Sequence, residues 1–365
     1  MRIAIDAREL LGRPTGVGRF LTEILGAWAH MPSARAHDIV LCAPDTIDGA
    51  PETVSLLVEP GGAFRGGGTA WEQLVLPRLA RRARADVLFA PAYTSPLLCP
   101  APVVVAVHDV SFAAHPEWFT RREGVRRRTL ARLSARRAAA VLTISEHSKT
   151  EIVRWLGVRG SKIAVAYPGA TTLAAAQGGE RENLVLFVGS LFARRHVPEL
   201  IHAFSRLASH RPDLRLEIVG DNRTVPRIDF EHIAQQSGAG SRISIRSYVA
   251  DEILAMLYGR ARAFVFLSDY EGFGLTPVEA LAAGVPIVVL DTPIAREICG
   301  DAAIYVPSPD PPVIQDALER VLFDEDERRR ILDAAQRILP RYSWGTCAER
   351  VLSVLLECGA RRERR

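Results

Sequence analysis

Short apolar runs alternate with longer amphipathic stretches along the first half of the chain. Runs of strand length occur at residues 3–5, 39–42, 87–89, 103–107, 141–144 and 163–166. Helical patterns with one apolar face lie between them, at residues 17–29, 70–85, 116–138 and 145–156. Strands that alternate with helices in this way predict a doubly wound α/β sheet.

The same alternation begins again in the second half of the chain. Apolar runs recur at residues 184–188, 214–219, 243–245, 263–267, 287–290 and 303–305. They predict a second α/β sheet. Residues 171–182 show no buried pattern and indicate a linker. We therefore predict one domain at residues 1–170, a second at 183–340, and a C-terminal segment at 341–365.

The C-terminal part of the chain is predicted to be helical. Two helical patterns lie at residues 311–322 and 325–338. Ser343 is suited to cap a final helix from about residue 344 to residue 358, because serine accepts a backbone hydrogen bond at a helix start. The chain then ends in a basic tail, residues 361–365, for which we expect a frayed, solvated end.

Residues 269–279 combine a predicted strand end, a glycine-rich turn and the start of a short helix. They place Glu271 and Glu279 eight positions apart. Thr276 is suited to the N-cap of the helix and Pro277 to its first position. Glu271 then lies at the carboxyl end of a parallel strand, which is where open α/β sheets bind ligands.

The two glutamates have both a structural and a functional interpretation. Thr276 and Glu279 fit a capping box, and Glu271 could be an ordinary solvated loop acid. The turn favours a ligand site, because Gly272 and Gly274 let a backbone approach closely and helix N-terminal amides bind phosphate. Carboxylates also accept hydrogen bonds from sugar hydroxyls. A nucleotide diphosphate sugar carries both kinds of group.

Further motifs occur over nearly the whole chain. In order, they are the first strand with Gly16 and Gly18, Val107 to Asp109, Thr143 to Lys149, Tyr167 to Gly169, Val188 to Ser190 with Arg194 and Arg195, Glu271 with Glu279, and Tyr342 to Trp344. Together these motifs resemble those of the family-four retaining glycosyltransferases of the GT-B fold. The resemblance implies two Rossmann-like domains that face a cleft and a C-terminal helix that crosses back to the first domain.

The resemblance also implies an activity and a set of residue roles. It implies transfer of a hexose from a nucleotide diphosphate sugar, with Glu271, His108 and Arg195 as catalytic residues. Glu271 would position the sugar ring, His108 would contact it from the opposite domain, and Arg195 would neutralise the diphosphate. The implied donor-binding residues are Gly16, Gly18, Ser190, Arg194, Arg195, Val249, Phe273, Gly274, Leu275, Thr276 and Glu279. Since no residue is an obvious nucleophile, a front-face reaction is expected, in which the leaving phosphate helps to deprotonate the acceptor.

Several of these residues have a simpler explanation or depart from the family pattern. Arg195 stands where the family usually has lysine, and His196 where it commonly has asparagine; the positive charge is kept at Arg195. The arginines could be solvated, and His108, taken alone, could be structural. Gly16 and Gly18 could open a dinucleotide fingerprint, but its third glycine is replaced by a leucine, so NAD binding is not expected.

No cofactor and no metal are expected. Residues 324–326 have the letters of an Asp-x-Asp metal motif, but they precede a predicted helix, where acids stabilise the helix start. Similarity to polysaccharide mannosyltransferases in the first 20 residues and around Trp71, Glu72 and Gln73 favours GDP-mannose over UDP-glucose as donor. Base choice is expected to depend on residues 247–249. The acceptor is expected to be a saccharide or a lipid-linked saccharide.

Composition indicates the class of protein and its compartment. The 365 residues are 48% hydrophobic and 24% charged, which fits a soluble enzyme. No apolar run approaches the ~20 residues that span a bilayer, no signal-peptide pattern opens the chain, and the five cysteines are scattered. We therefore expect a cytoplasmic protein with reduced thiols.

The net charge of +4 is unevenly distributed. The stretch Arg121–Arg137 carries eight arginines, with Val125, Leu130 and Leu133 on an apolar side. It is either a solvated basic helix or a surface that docks on anionic lipid at the inner face of the cell membrane, which would suit a lipid-carried acceptor. Nucleic acid is not expected as a partner, because no recognition fold accompanies these charges.

Two other functions are compatible with the sequence. One is a different GT-B enzyme, such as a sugar-nucleotide epimerase, which would convert the donor without an acceptor. The other is a non-catalytic protein that binds nucleotide sugars. Incubation with donor alone distinguishes the first, and binding without turnover distinguishes the second.

Overall fold

The computed structural model describes residues 1–12, 15–49, 53–59, 68–170 and 181–363. Contacts divide the chain into two compact units, one formed by Met1–Gly169 with Tyr342–Arg365 and the other by Ala170–Arg341. Each unit is built on one parallel sheet with helices between its strands. The predicted α/β class with two Rossmann-like sheets is confirmed.

The first unit has a seven-stranded sheet. Its strands are β1 (Arg2–Asp6), β2 (Asp38–Ala43), β3 (Ser55–Val58), β4 (Val87–Ala90), β5 (Val103–Ala106), β6 (Ala140–Thr143) and β7 (Ile163–Val165). They pair in the order β3-β2-β1-β4-β5-β6-β7. Alternate residues of β1 enter two separate cores, with Ile3 and Ile5 in one and Ala4 in the other, so both faces of the sheet are covered.

Within the described ranges, seven α-helices accompany this sheet before the chain enters the second unit. They are α1 (Gly16–His30), α2 (Pro32–Arg35), α3 (Thr69–Leu74), α4 (Leu76–Arg82), α5 (Ser111–Ala114), α6 (Arg121–Arg137) and α7 (Glu146–Leu156). The single helix predicted at residues 70–85 is wrong. The chain breaks into α3 and α4 because Pro77 lacks an amide hydrogen and begins a new first turn. Strand β3 was not predicted; it is a short edge strand with only partly buried side chains.

The second unit has a six-stranded sheet. Its strands are β8 (Leu184–Val188), β9 (Arg215–Val219), β10 (Ile243–Arg246), β11 (Ala263–Phe266), β12 (Ile287–Leu290) and β13 (Ile304–Val306). They pair in the order β10-β9-β8-β11-β12-β13. The chain order reverses between β8 and β11, so the crevice outside the carboxyl ends of these two strands is the expected ligand position.

The helices of the second unit alternate with these strands and then form a C-terminal pair. They are α8 (Val197–Ala208), α9 (Phe230–Gln236), α10 (Asp251–Arg260), α11 (Leu275–Ala282), α12 (Pro293–Cys299), α13 (Pro311–Phe323) and α14 (Glu325–Ile338). Asp324 caps α14 by accepting hydrogen bonds from the amides of Asp326 and Glu327, both at 3.0 Å. The acids at residues 324–326 therefore belong to a helix start, as predicted.

The C-terminal helix α15 (Trp344–Glu363) returns to the first unit and packs against α1. The indole Nε1 of Trp28 donates to the carbonyl of Ala348 at 3.0 Å. The predicted capping by Ser343 is confirmed, since its hydroxyl accepts from the amide of Thr346 at 3.4 Å. The helix extends five residues beyond the predicted end at Cys358, because nothing in the basic tail stops a helix.

Some predictions fall on parts of the chain at the margins of the described residues. Of the predicted linker, residues 171–180 lie outside the described ranges. Arg181 is attached to the second unit, where its guanidinium donates to the carbonyls of Ala261 and Ala283 at 2.6 and 2.7 Å. At the C-terminus, residues 364–365 also lie outside. None of the helices in the described ranges is long and apolar enough to span a bilayer.

Candidate functional site

Two loops of the second unit meet at the point where the strand order reverses. Arg195 lies in the loop after β8, and Glu271 in the loop after β11. The Nε and Nη2 atoms of Arg195 donate to Oε1 of Glu271 at 2.8 and 2.6 Å. This charge-assisted contact joins the two loops at the carboxyl edge of the sheet. The sequence predicted both residues at this edge but not that they pair.

The guanidinium of Arg195 is held on several sides. Its Nη1 donates to the carbonyl of Ser190 at 2.8 Å, and its Cζ lies 4.8 Å from the ring centroid of Phe266. A Cβ atom at Gly189 would lie 2.6 Å from Nη1, so only glycine permits this approach. Only 11% of the Arg195 side chain is exposed. The result is a cation whose orientation is fixed before any ligand arrives.

The carboxylate of Glu271 is bonded through only one of its oxygens. Both bonds from Arg195 go to Oε1, and the hydroxyl of Ser268 donates to the same atom at 2.8 Å. Within the described ranges, no hydrogen bond reaches Oε2. Glu271 is therefore oriented by its neighbours while one acceptor oxygen stays available. Ser268 was not predicted as a site residue, although it follows a buried strand closely and polar residues at that position often face a ligand.

Arg194 strengthens the contact between the two loops. Its Nε donates to the carbonyl of Tyr270 at 3.3 Å, and its own carbonyl accepts from the amide of Asp269 at 3.0 Å. The guanidinium also stacks on Phe192, at 4.1 Å from the ring centroid. The two predicted arginines thus lie side by side, but only Arg195 bonds to Glu271.

The helix after the glycine turn begins earlier than predicted. The N-cap is Gly274, in the left-handed conformation with φ +93°, and Leu275 is the first residue of α11. The predictions that Thr276 is the N-cap and Pro277 the first residue are therefore wrong. Glycine adopts this conformation without steric cost, so the turn ends two residues sooner than the threonine suggested. Pro277 is tolerated at the third position because that amide has no intrahelical acceptor.

This helix start removes one interpretation and supports another. Because Thr276 lies inside the helix, it forms no capping box with Glu279, which is the fifth helical residue. The Glu279 side chain is buried, with 3% of the residue exposed, and its role in ribose binding stays a prediction. The amides of Leu275 and Thr276 occupy the first two helical positions, which have no intrahelical acceptor and favour an anion.

A groove of about 710 Å³ lies along the carboxyl ends of β8, β9 and β10. Its lining includes Gly220, Asp221, Arg223, Arg227 and Ser247. Apart from Ser247, these residues were not predicted, although a glycine and an acid directly after a strand are a recognisable signal of a ligand site. Predicted Val249 is buried just beyond the groove-lining Ser247, and predicted Phe273 is also buried.

Gly220 also explains how the groove meets the Arg195 loop. A Cβ atom at Gly220 would lie 1.9 Å from the carbonyl oxygen of Gly189. The two loops therefore touch through their backbones, and neither position has room for a side chain. The groove and the Arg195–Glu271 contact are continuous parts of one sheet edge.

In the first unit, the predicted residue His108 follows β5 and is buried. Its Nε2 lies 2.9 Å from the carbonyl oxygen of Pro91. Burial lowers the pKa of His108, so the ring is neutral at pH 7. Because a carbonyl oxygen can only accept a hydrogen bond, Nε2 carries the proton. Nδ1 is then the nitrogen that can accept a hydrogen bond from a hydroxyl. Contact with a donor sugar stays a prediction.

The predicted glycines of the first unit have different environments. The amide of Gly18 donates to the Thr15 hydroxyl at 3.0 Å and so completes the N-cap of α1. A Cβ atom at Gly18 would lie 2.4 Å from the carbonyl oxygen of Glu9. The fold therefore requires glycine at this position because there is no space for a side chain. Gly16 is the exposed first residue of the helix, and a Cβ atom there would meet open space. Of the two, only Gly16 keeps its amide in reach of a ligand.

A second arginine–carboxylate cluster lies at the end of β1. The Nη2 atom of Arg8 donates to Asp6 and to Glu72, both at 2.6 Å. Glu72 also accepts from the Thr94 hydroxyl at 2.7 Å and from the side-chain amide of Gln73 at 2.8 Å. Both carboxylates are buried. Within the described ranges, no group of three or more His, Cys, Asp or Glu side chains is placed to hold a metal ion.

Comparison with known proteins places the chain in a family. The model of Glycosyltransferase Family 4 matches residues 14–172, and that of Glycosyl transferases group 1 matches residues 172–338. The O-antigen chain mannosyltransferase RfbU of Salmonella typhimurium is 29% identical over 60% of this chain and 60% of its own length. O-antigen chain mannosyltransferase B of Escherichia coli is 24% identical over 68% of this chain and 69% of its own.

A solved structure shows the same fold. HepE of Anabaena, determined in complex with UDP and glucose, superposes with a TM-score of 0.75 at 19% identity, over 97% of this chain and 98% of its own. The two family models follow one another along the chain and together extend from residue 14 to residue 338. The chain belongs to the family-four glycosyltransferases of the GT-B fold.

Proposed function

We propose that this protein is a retaining hexosyltransferase that transfers a hexose from a nucleotide diphosphate sugar to a hydroxyl of a saccharide or lipid-linked acceptor. The observation that carries the proposal is the Arg195–Glu271 contact beside the start of α11. It puts a fixed cation, two helix N-terminal amides and an available carboxylate oxygen at one sheet edge. Those groups match the charge and the hydroxyls of a nucleotide sugar.

The charges at this edge support departure of the nucleoside diphosphate. In the proposed reaction the bond from the anomeric carbon to the phosphate oxygen breaks, and a bond from the acceptor oxygen forms on the same face. The acceptor proton passes to the leaving phosphate oxygen. Arg194, Arg195 and the amides of Leu275 and Thr276 stabilise the developing negative charge. Because these groups supply the charge, we expect turnover in the presence of EDTA to equal turnover in its absence.

Glu271 is proposed to hold the hexose through Oε2. Since Arg195 and Ser268 fix Oε1, the second oxygen is aimed without further ordering of the side chain. A hydrogen bond from a ring hydroxyl to this oxygen would set the position of the anomeric carbon, and small errors in such positioning are costly to rate. His108 and Glu279 are the further residues proposed to contact the sugar and the ribose.

We propose a mannose donor with a guanine base. Support for mannose comes from two relatives that are named as mannosyltransferases. The groove beside the Arg195 loop has room for a base at about 710 Å³ and presents both acids and arginines, including Asp221 and Arg227. Thermal shifts with GDP, UDP, ADP and dTDP test this directly. We expect the thermal shift with GDP to be well above the shifts with the other three nucleotides. A larger shift with UDP would contradict guanine and indicate uracil as the donor base.

Incubation with the donor alone separates transfer from epimerisation. The relatives above are named as transferases, so the epimerase alternative is not favoured. We expect slow release of free sugar and nucleoside diphosphate in the absence of acceptor, and no new sugar-nucleotide epimer. Appearance of an epimer would overturn the proposed transfer.

The first unit carries a surface suited to a lipid-linked acceptor. All eight arginines of α6 are exposed, together with Val125 and Leu133. Helix α7 packs against α6 and adds two exposed apolar side chains, Val153 and Trp155. Basic and apolar groups on adjacent helices suit the headgroups and acyl boundary of an anionic bilayer. We propose that this surface docks at the inner face of the cell membrane, which makes the cytoplasmic protein peripheral there.

Sedimentation with vesicles tests the membrane proposal. Binding to phosphatidylglycerol vesicles at low salt is expected, with little binding to phosphatidylcholine vesicles. The variant R122E/R128E reverses two charges on α6 and should bind at least about tenfold more weakly. The matched control R329E/R337E makes the same change of charge on α14 and should bind like the unmodified protein. Equal binding by both variants would refute the assignment to α6.

A further inference from the structure

His196 adopts an unusual backbone conformation at the entrance to α8. It lies in the left-handed region with φ +49° and ψ +41°, and it is the N-cap residue of that helix. Few residues other than glycine occupy this region, and asparagine, aspartate and histidine are the most common exceptions. The backbone of this position therefore accepts asparagine as well as histidine. What histidine adds is a side chain that can carry charge.

The imidazole of His196 links the same two loops that Arg195 and Glu271 link. Its Nε2 lies 2.9 Å from Oδ2 of Asp269, which lies in the loop after β11 that also carries Glu271. Its Nδ1 lies 3.8 Å from Oε1 of Glu199, on the first turn of α8. The His196–Asp269 bond thus runs beside the Arg195–Glu271 bond, one residue further on the first loop and two residues earlier on the second.

The surroundings of His196 favour the protonated ring. Hydrogen bonding to Asp269, followed by the contact with Glu199, raises the pKa of His196 to about 9, against an opposing effect of burial. In return, the contact with His196 lowers the pKa of Glu199, with a further contribution from the charge of His202. The imidazole side chain is 17% exposed, whereas Asp269 is 45% exposed. At neutral pH the ring therefore carries a positive charge between acids on two different elements.

We infer that His196 is a positioning residue. Its charged imidazole fixes the loop after β11, which carries Glu271, against the loop after β8, which carries Arg195, and so sets the geometry of the Arg195–Glu271 contact. The inference rests on the function proposed for that contact. His196 bonds to Asp269 and not to either residue of the contact, so it acts on donor binding through the loop that Asp269 belongs to. Its loss should therefore weaken donor binding more than it slows the chemical step.

Thermal unfolding tests the link without any ligand. The folded pKa of His196 is raised above the unfolded value of about 6.5, so its stabilisation is complete below that pH. This stabilisation is lost as the pH rises through about 9. His196→Asn keeps the left-handed backbone but cannot be protonated. We expect its unfolding midpoint to lie below that of the unmodified protein at pH 6.5 and to meet it near pH 10. A constant difference across this range would overturn the inference.

Donor kinetics test the positioning role. At pH 7.5 we expect His196→Asn to raise the donor KM about tenfold, the effect of one lost charge-assisted hydrogen bond, and to change kcat less. The KM of the unmodified protein should rise toward that of the variant as the pH passes 9, while the KM of the variant stays flat. Asp269→Asn should have the same raised and pH-independent donor KM as His196→Asn. A KM that rises equally with pH in all three proteins would overturn the inference.

Glu271→Ala separates this inference from the proposed function. If Glu271→Ala is inactive while His196→Asn has the KM and unfolding midpoint of the unmodified protein at every pH, only the role of His196 fails. If Glu271→Ala keeps full turnover, the proposed function fails, whereas the pH-dependent unfolding of His196→Asn still measures the loop contact by itself.

Discussion

Each of the two sheets has an arginine–carboxylate contact just after its first strand. In the first unit, Arg8 lies between Asp6 and Glu72 at the end of β1. In the second, Arg195 contacts Glu271 at the end of β8. The shortest distance is 2.6 Å in all three ion pairs, so distance does not distinguish them.

The two contacts differ in how many carboxylate oxygens accept hydrogen bonds. Both oxygens of Glu72 accept hydrogen bonds, one from Gln73 and the other from Arg8 and Thr94. Within the described residues, all hydrogen bonds to Glu271 go to Oε1. The first cluster is a satisfied, buried part of the fold, whereas the second holds a carboxylate in place and leaves one oxygen available, as the proposed contact with a sugar hydroxyl requires. The available acceptor oxygen, and not the ion pair itself, is what makes the second contact the candidate site.

The largest expected effect comes from breaking the buried contact. Glu72→Ala removes a partner of Arg8 and the acceptor of the Thr94 hydroxyl, and it takes one of two acceptors from the Gln73 side-chain amide. Breaking a buried pair in this way costs about 3–5 kcal/mol, so we expect a loss of that size in the free energy of unfolding, measured by urea denaturation. Glu72→Gln keeps an acceptor oxygen and should lose less. An unchanged urea midpoint in Glu72→Ala would show that the cluster is not structural.

The corresponding change in the second unit should lower turnover more than it lowers stability. Glu271→Ala removes the carboxylate that is proposed to position the sugar, and we expect turnover to fall about 100-fold or more. Its loss of stability should be smaller than that of Glu72→Ala, because the Glu271 side chain is 18% exposed and lies in a loop, although Arg195 loses two hydrogen bonds. Glu319→Ala, at an exposed position of α13, is the matched control with full turnover. Near-normal turnover in Glu271→Ala would remove the distinction between the two contacts.

One histidine from each unit sharpens the comparison with a smaller effect. The folded pKa of His108 is lowered by burial, so its contribution to stability is present above the unfolded value of about 6.5. That contribution is lost as the pH falls below this value, which is opposite in sign to His196. The unfolding midpoint of the unmodified protein should fall as the pH is lowered from 7 to 5. We expect this fall to be smaller in His108→Gln and unchanged in His210→Gln, which alters an exposed histidine. An unchanged fall in His108→Gln would contradict the assigned neutral ring.

Most strands of the two sheets could be predicted from the sequence because the central strands are buried on both faces. Buried parallel strands are continuous apolar runs, which are visible without any knowledge of their neighbours. Edge strand β3 was missed, whereas edge strand β10, which is no more buried, was predicted. The break at Pro77 was missed because an amphipathic pattern continues across it, although proline ends the backbone hydrogen bonding there.

The site was predictable in its residues and not in its contacts. Glu271 and Arg195 stand shortly after apolar runs, so their place at the sheet edge follows from the sequence. Their pairing depends on β8 and β11 being neighbours, and strand order is not encoded in a pattern of apolar residues. The N-cap at Thr276 was wrong for a local reason, since the preference of glycine for the left-handed turn outweighed that of threonine for a cap.

The bond between Arg195 and Glu271 joins residues that are 76 positions apart in the chain. The elements from α8 to α10 lie between them in the sequence. The two side chains can meet only when β11 pairs with β8. The ligand-competent arrangement therefore exists only when β8 and β11 are paired in the folded sheet. A nucleotide that requires it binds the native state and not its partly folded precursors, so it should stabilise this unit by mass action. Binding of nucleotide can thus serve as an assay for completed folding.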